Sequence, residues 1–335
     1  MNMTFSPDLT AALTIPAHDS WPETKHHFDA ESVWAVRAAI AARRPLLLRG
    51  EPGIGKSQMA RAVAAELKVP FLYHVVDERS ERDDLLLSFD AISRLAEAQV
   101  SALTAAGEPK WRDNLAELNF IRPGVLWWAF NWKTAKEQAD IFSKTCRKCD
   151  EPSCPDGWTP EAERMCGPVV LVDEIDKADP SVPNGLLESL GNQGFKTNQL
   201  VQPVCLAEGT KPPLVIITTN EERELPAAFL RRCLVLQMRF PKDPDDAENF
   251  LIRARARIHW TADQVSDTVC KRVVGALLAD REAAARQGLA IPGAAEFLDI
   301  LRALVELHPS HETEQLTALE QIKNFALKKN VDEAE

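Results

Sequence analysis

One short stretch of the sequence combines residue types and spacing that suit phosphate binding. Residues 50–57 read G-E-P-G-I-G-K-S and satisfy the pattern G-x-x-x-x-G-K-[S/T]. The glycines let backbone N–H groups close around phosphate oxygens, and a helix that begins there adds partial positive charge. We expect Lys56 to reach the β- and γ-phosphates of a nucleoside triphosphate and the Ser57 hydroxyl to bind Mg²⁺. The expected nucleotide contacts are Gly50, Glu51, Pro52, Gly53, Ile54, Gly55, Lys56, Ser57 and Gln58.

Two acidic residues that follow an apolar run could supply the hydrolytic part of such a site. Residues 169–172 read V-V-L-V, which is typical of a buried parallel strand, and Asp173 and Glu174 come directly after them. Carboxylates at the carboxyl end of such a strand point into the crevice where α/β sheets bind ligands. We expect Asp173 to hold Mg²⁺ and Glu174 to polarise the attacking water as general base. Asn220, which ends the predicted strand 214–220, either orients that water or starts a turn.

A pair of arginines stands before the last predicted strand. Arg231 and Arg232 precede the run 234–240. The pair is either a solvated turn or a source of a guanidinium for a γ-phosphate that a neighbouring subunit holds.

Four of the seven cysteines lie close together ahead of the acidic motif: Cys146, Cys149, Cys154 and Cys166. The first two have the C-x-x-C spacing of zinc ligands, and four thiols suit a tetrahedral Zn²⁺ site. The second C-x-x-C pair is missing, and prolines at positions 152 and 155 favour an irregular loop. The segment is therefore either a structural zinc site or an insertion with reduced cysteines.

The remaining patterns indicate an α/β domain followed by helices. Short apolar runs predict strands at 45–49, 71–76, 169–172, 214–220 and 234–240, with a hairpin at 195–204. Helical spacing predicts helices at 31–42, 58–67, 84–99 and 181–193. Residues 245–335 hold no strand-like run and predict helices near 245–260, 262–279, 293–308 and 312–328. Arg253, Arg255 and Arg257 alternate in the first of these, which favours a solvated face over a nucleic-acid site.

The segment 125–132, V-L-W-W-A-F-N-W, concentrates aromatic residues. On a helix Trp127 and Phe130 share one face, and Trp128 and Trp132 share another. Burial of one pair in the core is the simpler interpretation, because aromatics dominate core burial. The alternative is that the second pair faces a partner subunit.

Composition limits the functional class. A hydrophobic share of 45% is ordinary for a globular protein, and 335 residues allow two domains. The net charge of −11 disfavours non-specific binding to nucleic acid. No apolar run approaches the ~18 residues of a membrane helix, and the first residues do not have the pattern of a signal peptide. A cytoplasmic protein with no membrane association is the expectation.

Together these motifs resemble those of AAA+ ATPases, and within them the MoxR-like branch, over most of residues 30–310. By that resemblance residues 50–57 are Walker A and 169–174 are Walker B. Asn220 matches sensor 1, and Arg232, with Arg231 beside it, matches the trans-acting arginine finger. Residues 84–86 and 120–126 look like the helix-2 insertion of this branch, and 195–204 looks like its pre-sensor-1 hairpin.

The resemblance implies a P-loop NTPase fold, with a five-stranded parallel sheet covered by helices in residues 1–240 and a small all-α lid in residues 241–335. Residues 83–167 would be the helix-2 insertion and the cysteine-containing insertion. It implies a hexameric ring that hydrolyses ATP at subunit interfaces and remodels a protein partner, which in the MoxR-like branch is usually a von Willebrand A domain protein. The W-W-A-F segment suggests versions found in bacterial defence or signalling gene clusters.

One departure from the family pattern opens alternatives. The sensor 2 arginine should lie near 292–298, but that helix begins with Gly293, Ala294, Ala295 and Glu296, and Arg302 lies almost two turns further. The resemblance then permits a slowly hydrolysing switch, in which ATP binding drives assembly. A nucleic-acid motor that uses GTP is a third alternative, which the acidic composition disfavours.

Overall fold

The computed structural model of the protein describes residues 4–19, 21–104, 115–146, 148–162 and 164–327. Positions 105–114 of the predicted insertion and position 328 of the last predicted helix lie outside the described residues. The chain divides into two units. The first comprises Met1–Ser6, Glu31–Leu48 and Val63–Leu236, and the second comprises Pro7–Ala30, Arg49–Ala62 and Gln237–Glu335.

The strands, in chain order, are β1 Leu13–Ile15, β2 Thr24–His26, β3 Leu46–Arg49, β4 Phe71–Val75, β5 Leu87–Phe89, β6 Ile121–Pro123, β7 Val169–Asp173, β8 Gly194–Phe195, β9 Val204–Cys205, β10 Leu214–Thr219 and β11 Leu234–Gln237. The α-helices are α1 Ala30–Ala42, α2 Lys56–Leu67, α3 Ala91–Thr104, α4 Val125–Phe130, α5 Trp132–Thr145, α6 Ser181–Gly191, α7 Ala227–Leu230, α8 Pro244–Leu251, α9 Arg257–His259, α10 Asp267–Gln287, α11 Ala294–Leu307 and α12 Glu312–Leu327. Short 3₁₀ turns cover Glu117–Phe120 and Ile175–Lys177, and a π-helical turn covers Ile252–Ala256.

Five strands form the predicted parallel sheet, in the order β11-β3-β10-β7-β4. In this sheet β7 pairs in parallel with β10 on one side and with β4 on the other. Every residue of β10 is buried, and so are the first four residues of β7, as continuous apolar runs require when both faces of a strand are covered. The register places Val172 opposite Ile217, so the polar residues that follow them, Asp173 and Thr218, lie side by side at the carboxyl ends.

The predicted helix at 84–99 is wrong in its first half. Residues 84–86 form a turn, β5 follows, and the helix α3 begins only at Ala91. Leu85, Leu86 and Leu87 are all buried, which one face of a surface helix could not achieve for three successive residues. Instead β5 pairs antiparallel with β6, and the Gly124 N–H donates to the Leu86 carbonyl at 2.9 Å. The two segments assigned to the helix-2 insertion therefore pack against each other.

The alternative in which Trp128 and Trp132 face a partner subunit is wrong for this chain, and the core interpretation holds for both pairs. Trp127, Trp128, Phe130 and Trp132 are all buried. The reason is that helix α4 ends at Phe130, and Asn131 caps a new helix by accepting the Thr134 N–H at 3.1 Å. Trp132 is thus redirected, and all four rings enter the core of the first unit.

The cysteine-containing insertion is held by side chains of α5. The Trp158 ring packs edge-on against Trp132, with ring centroids 4.7 Å apart. The Glu151 carboxylate accepts a bond from the Trp132 indole N–H and pairs with Lys136, each at 2.6 Å. These contacts link the loop to the helix through groups that need no metal.

The zinc alternative for Cys146, Cys149, Cys154 and Cys166 is not supported. In the described part of the chain, no three histidine, cysteine or acidic side chains come together as a metal site would require. Burial raises the pKa of the Cys166 thiol to about 12, which opposes the thiolate form that zinc binds. Cys146 instead directs its Sγ to the Asn119 carbonyl at 3.7 Å.

The carboxyl-terminal part of the second unit is helical, as predicted. Ser266 caps α10 by accepting the Val269 N–H at 3.2 Å, and Gly288 ends that helix in the left-handed conformation. Leu251, Phe297 and Leu301 lie in the core that these helices share. Among the residues described, no helix has the length and apolarity needed to cross a membrane.

Candidate nucleotide-binding site

The glycine loop follows directly on β3, and α2 begins at its lysine. Gly53 and Gly55 have φ of +74° and +107°, a region that side chains disfavour, so the loop needs glycine at both positions. The Lys56 side chain is buried, and its ammonium donates to the carbonyls of Gly50 and Glu51 at 2.7 and 2.9 Å. Ser57 is the second residue of α2. The predicted strand, loop and helix are therefore present in that order.

Gln58 differs from the other predicted contacts of the loop. Its side-chain amide donates to the Lys25 carbonyl at 2.5 Å and to the Thr24 hydroxyl at 3.3 Å. Both partners belong to β2. Gln58 thus fastens the start of α2 to the amino-terminal β1–β2 hairpin.

The start of α11 lies against the glycine loop within the second unit. A Cβ added at Gly53 would come within 2.9 Å of the Ala295 Cβ, and one added at Gly293 would come within 3.4 Å of the Pro52 carbonyl. The Glu296 carboxylate turns back to accept the Gly293 N–H at 2.8 Å. Small residues at the start of α11 therefore allow its close approach to the glycine loop.

Arg281, on α10, supplies a cation to the same loop. Its guanidinium donates to both carboxylate oxygens of Glu51, at 2.9 and 3.2 Å, and to the Pro292 carbonyl. It also stacks over the Phe240 ring at 3.8 Å. Sequence reasoning missed this arginine, since it lies 230 positions beyond its partner.

Arg255, in the π-helical turn, is a second cation at the loop. Its guanidinium donates to the Ile54 carbonyl at 3.2 Å and lies 4.6 Å from the Phe250 ring centroid. Burial lowers the pKa of Arg255, and burial together with the Arg255 charge lowers the pKa of nearby His26 to about 3. The prediction of a solvated face is therefore wrong for Arg255, because the π turn brings it to the loop.

The first unit brings the predicted acidic motif together with the end of β10. The Thr218 hydroxyl donates to the Asp173 carboxylate at 2.5 Å and accepts the Glu174 N–H at 2.9 Å. Thr218 is fully buried, so this hydroxyl fixes both acidic residues rather than binding solvent. The sequence signal for it was weak, since a threonine inside a strand is common.

Both carboxylate oxygens of Glu174 have donors. The Asn220 amide donates to Oε1 at 3.2 Å, and the Lys177 ammonium donates to Oε2 at 2.6 Å. The Glu174 backbone has φ +59°, a conformation that a residue other than glycine adopts at a cost. Glu174 and Asn220 are therefore adjacent, and Lys177 is a residue that sequence reasoning missed.

The arginine pair lies at the carboxyl end of α7. Both side chains are exposed, and the Arg44 guanidinium donates to the backbone carbonyls of Arg231 and Arg232. The backbone of the pair is thus fixed by Arg44, two residues after α1, while its side chains are exposed.

The sequence places the chain in a family. Residues 45–233 match the profile of the AAA domain (dynein-related subfamily), which is more than half of the 335 residues. The chain belongs to the AAA domain family. No curated protein sequence matches it.

Solved structures similar to this AAA domain protein include two of RuvB from Thermotoga maritima. A glycine-for-proline mutant is 12% identical with a TM-score of 0.44, over 90% of this chain and 71% of that chain. A valine-for-threonine mutant is 12% identical with a TM-score of 0.40, over 87% and 67%. A candidate ATPase from Cytophaga hutchinsonii is 13% identical with a TM-score of 0.35, over 90% and 88%.

The residues present fit a nucleotide with a divalent cation. Positive-φ glycines, a buried lysine and the amino end of α2 suit phosphate oxygens. Ser57, in the second unit, and Asp173, in the first, each carry a hard oxygen donor of the kind that Mg²⁺ prefers.

Proposed function

We propose that this AAA domain protein binds ATP and hydrolyses it. The proposal is carried by the group at the carboxyl ends of β7 and β10, where Thr218 and Asn220 hold the Asp173–Glu174 pair. A chain that only bound nucleotide would not need a carboxylate positioned by an adjacent amide. The glycine loop with buried Lys56 supplies the accompanying phosphate-binding element.

Each residue has a proposed role in that reaction. Loop N–H groups and Lys56 hold the phosphates, and Glu174 accepts the proton of the attacking water while Asn220 positions it. Ser57 and Asp173 would hold Mg²⁺, which neutralises phosphate charge when bound. Glu51 and Gln58 would act indirectly, through the lid helix α10 and the β1–β2 hairpin.

We further propose that the site is completed by a second copy in a ring, of hexameric size in the MoxR-like branch. Arg232, with Arg231 beside it, would stabilise transition-state charge on the γ-phosphate bound by the neighbouring copy. Exposed side chains on a backbone fixed by Arg44 support this role. In such a ring, nucleotide-driven movement of the helical lid would remodel a protein partner, with a von Willebrand A domain protein as the first candidate to test.

A nucleotide-controlled assembly switch is the second candidate function. It is favoured by the engagement of both Glu174 oxygens, because a base that is already hydrogen-bonded is slow to take a proton. In this alternative ATP binding assembles the ring and turnover is slow.

The Glu174→Gln variant tests the chemistry. We expect it to bind ATP as the wild type does and to lose turnover about 100-fold or more, while Glu208→Gln, at an exposed loop position, keeps the wild-type rate. Turnover of Glu174→Gln at the wild-type rate would remove Glu174 as the base. Mass photometry with ATP, with GTP and without nucleotide measures assembly and nucleotide choice in the same experiment.

Mixing two inactive variants tests the shared site. Arg232→Ala lacks the trans arginine and Glu174→Gln lacks the base, but an interface between the two variants contains one complete site. We expect the mixture to recover part of the turnover that each variant alone lacks. A mixture as inactive as its components would contradict a shared site.

A further inference from the structure

Lys177 contacts the carboxylate that is proposed as the general base. Its ammonium donates to Glu174 Oε2 at 2.6 Å, while the Asn220 amide holds Oε1 of the same carboxylate at 3.2 Å. A carboxylate that acts as general base must accept a hydrogen bond from water. Lys177 occupies the oxygen that Asn220 leaves available.

The backbone directs Lys177 to this position. Glu174 is in the left-handed conformation, and the 3₁₀ turn Ile175–Lys177 follows it at once. The Lys177 N–H donates to the Glu174 carbonyl at 3.0 Å, which closes the turn and brings the two side chains to the same side. The Arg223 guanidinium donates to the Lys177 carbonyl at 3.3 Å, so the backbone of the turn is fastened to the loop after β10.

We propose that Lys177 holds Glu174 in a resting position and sets the basal rate of hydrolysis. The inference rests on the proposed function of Glu174 as general base. Lys177 is then a positioning residue that competes with the attacking water for one carboxylate oxygen. When Lys177 turns away, Oε2 becomes available and Asn220 still orients the carboxylate.

The ion pair between Lys177 and Glu174 is suited to breaking and re-forming. Side-chain exposures are 38% for Lys177 and 31% for Glu174, so water screens their attraction and competes for both groups. After Glu174, the carboxylates of Glu222 and Asp176 also raise the pKa of Lys177, so the ammonium keeps acidic neighbours when it leaves Glu174. One oxygen of Asp176 is buried and has no hydrogen-bond partner. Movement of the lysine side chain alone is therefore sufficient for release.

Substitution of Lys177 gives the direct test. We expect Lys177→Ala to raise kcat for ATP about two- to five-fold, which is the population shift that an exposed ion pair of this kind provides. We expect KM to stay unchanged, because Lys177 is assigned no contact with nucleotide. Lys177→Arg keeps the charge and should keep the low wild-type rate. Lys136→Ala breaks a comparably exposed ion pair with Glu151 in the same unit and should leave kcat unchanged.

A double variant shows whether Lys177 acts through Glu174. In the Glu174→Gln background, Lys177→Ala should give no gain, since the base is already absent. Lys177→Ala that is folded, with the wild-type melting temperature, and is no faster than wild type would overturn the proposal. A gain that persists in the Glu174→Gln background would overturn it as well.

A readout without turnover separates this inference from the proposed function. With lysine labelled with ¹⁵N at Nζ, NMR should show a different Lys177 chemical shift in Glu174→Gln from that in the wild type. Absence of hydrolysis by the wild type would refute the proposed function, whereas an unchanged Lys177 chemical shift in Glu174→Gln would refute the contact itself.

Discussion

Replacement of Arg281 should weaken the second unit more than replacement of a typical surface arginine. Its side chain is 14% exposed and has three partners: the Glu51 carboxylate, the Pro292 carbonyl and the Phe240 ring. Arg281→Ala removes all three. Glu51 is 43% exposed, so water can replace the guanidinium at its carboxylate, and that contact contributes about 1 kcal/mol at most.

The contacts of Arg281 with the Pro292 carbonyl and the Phe240 ring are less accessible to water. A hydrogen bond from a charged donor contributes about 1.5 kcal/mol or more, and a cation stacked on a ring contributes about 1 kcal/mol. We therefore expect Arg281→Ala to lower the free energy of unfolding by about 3 kcal/mol. Glu51→Gln removes only the ion pair and should cost about 1 kcal/mol. Arg281→Lys keeps the charge but loses the planar fork, so its cost should lie between the two.

Urea unfolding gives these differences, and hydrogen exchange resolved by peptide shows whether the loss falls in α10, α11 and the glycine loop. The double variant Arg281→Ala with Glu51→Ala should show coupling of about 1 kcal/mol. A cost for Arg281→Ala below that of Glu51→Gln, or full stability of Arg281→Lys, would refute the reasoning. Arg286→Ala, which breaks a pair exposed on both sides in the same helix, should change stability little.

Three further predictions concern the loop, the acidic pair and pH. Gly53→Ala should lose about 1–2 kcal/mol of stability, from its positive φ and the Ala295 Cβ at 2.9 Å, and a fluorescent nucleotide titration should show weaker binding. Thr218→Val should leave Asp173 without its hydroxyl donor and cost about 2 kcal/mol, and an unchanged urea midpoint would contradict that bond. Because burial lowers the pKa of His26 to about 3, only the unfolded state gains its proton between pH 6.5 and 3. Stability should fall by about 2 kcal/mol from pH 7 to 5, and His26→Phe should remove that part of the loss.

The sheet and the polar groups at its carboxyl ends were predictable for a physical reason. Each central strand is a short continuous apolar run, and burial of both faces leaves few other structures for such a run. Parallel pairing then brings Asp173, Glu174 and Asn220 to one edge from two separate runs. At these positions the local sequence pattern and the parallel sheet require the same structure. The sequence alone was therefore sufficient to predict where these polar residues lie.

The contacts that determine how the acidic pair is held were not predictable. Thr218 and Lys177 are ordinary residues for a strand and a turn, and their importance arises only from the register of β7 with β10 and the left-handed Glu174. Helix periodicity also failed at 84–99, because three successive buried leucines enter the core through a turn and a strand. In each case tertiary contacts overrode the local preference.

The start of α11, where the family pattern places the sensor 2 arginine, carries no arginine, yet arginines from elsewhere contact the glycine loop. The start of α11 approaches the glycine loop closely through small residues, with Ala295 next to Gly53. Two arginines from other helical segments reach the loop instead, Arg281 through Glu51 and Arg255 through the Ile54 carbonyl. Both contact the loop itself, so they can link its conformation to that of α10 and the π turn. Neither is at the position where the family pattern places a cation, so absence of the motif arginine does not imply absence of positive charge at the loop.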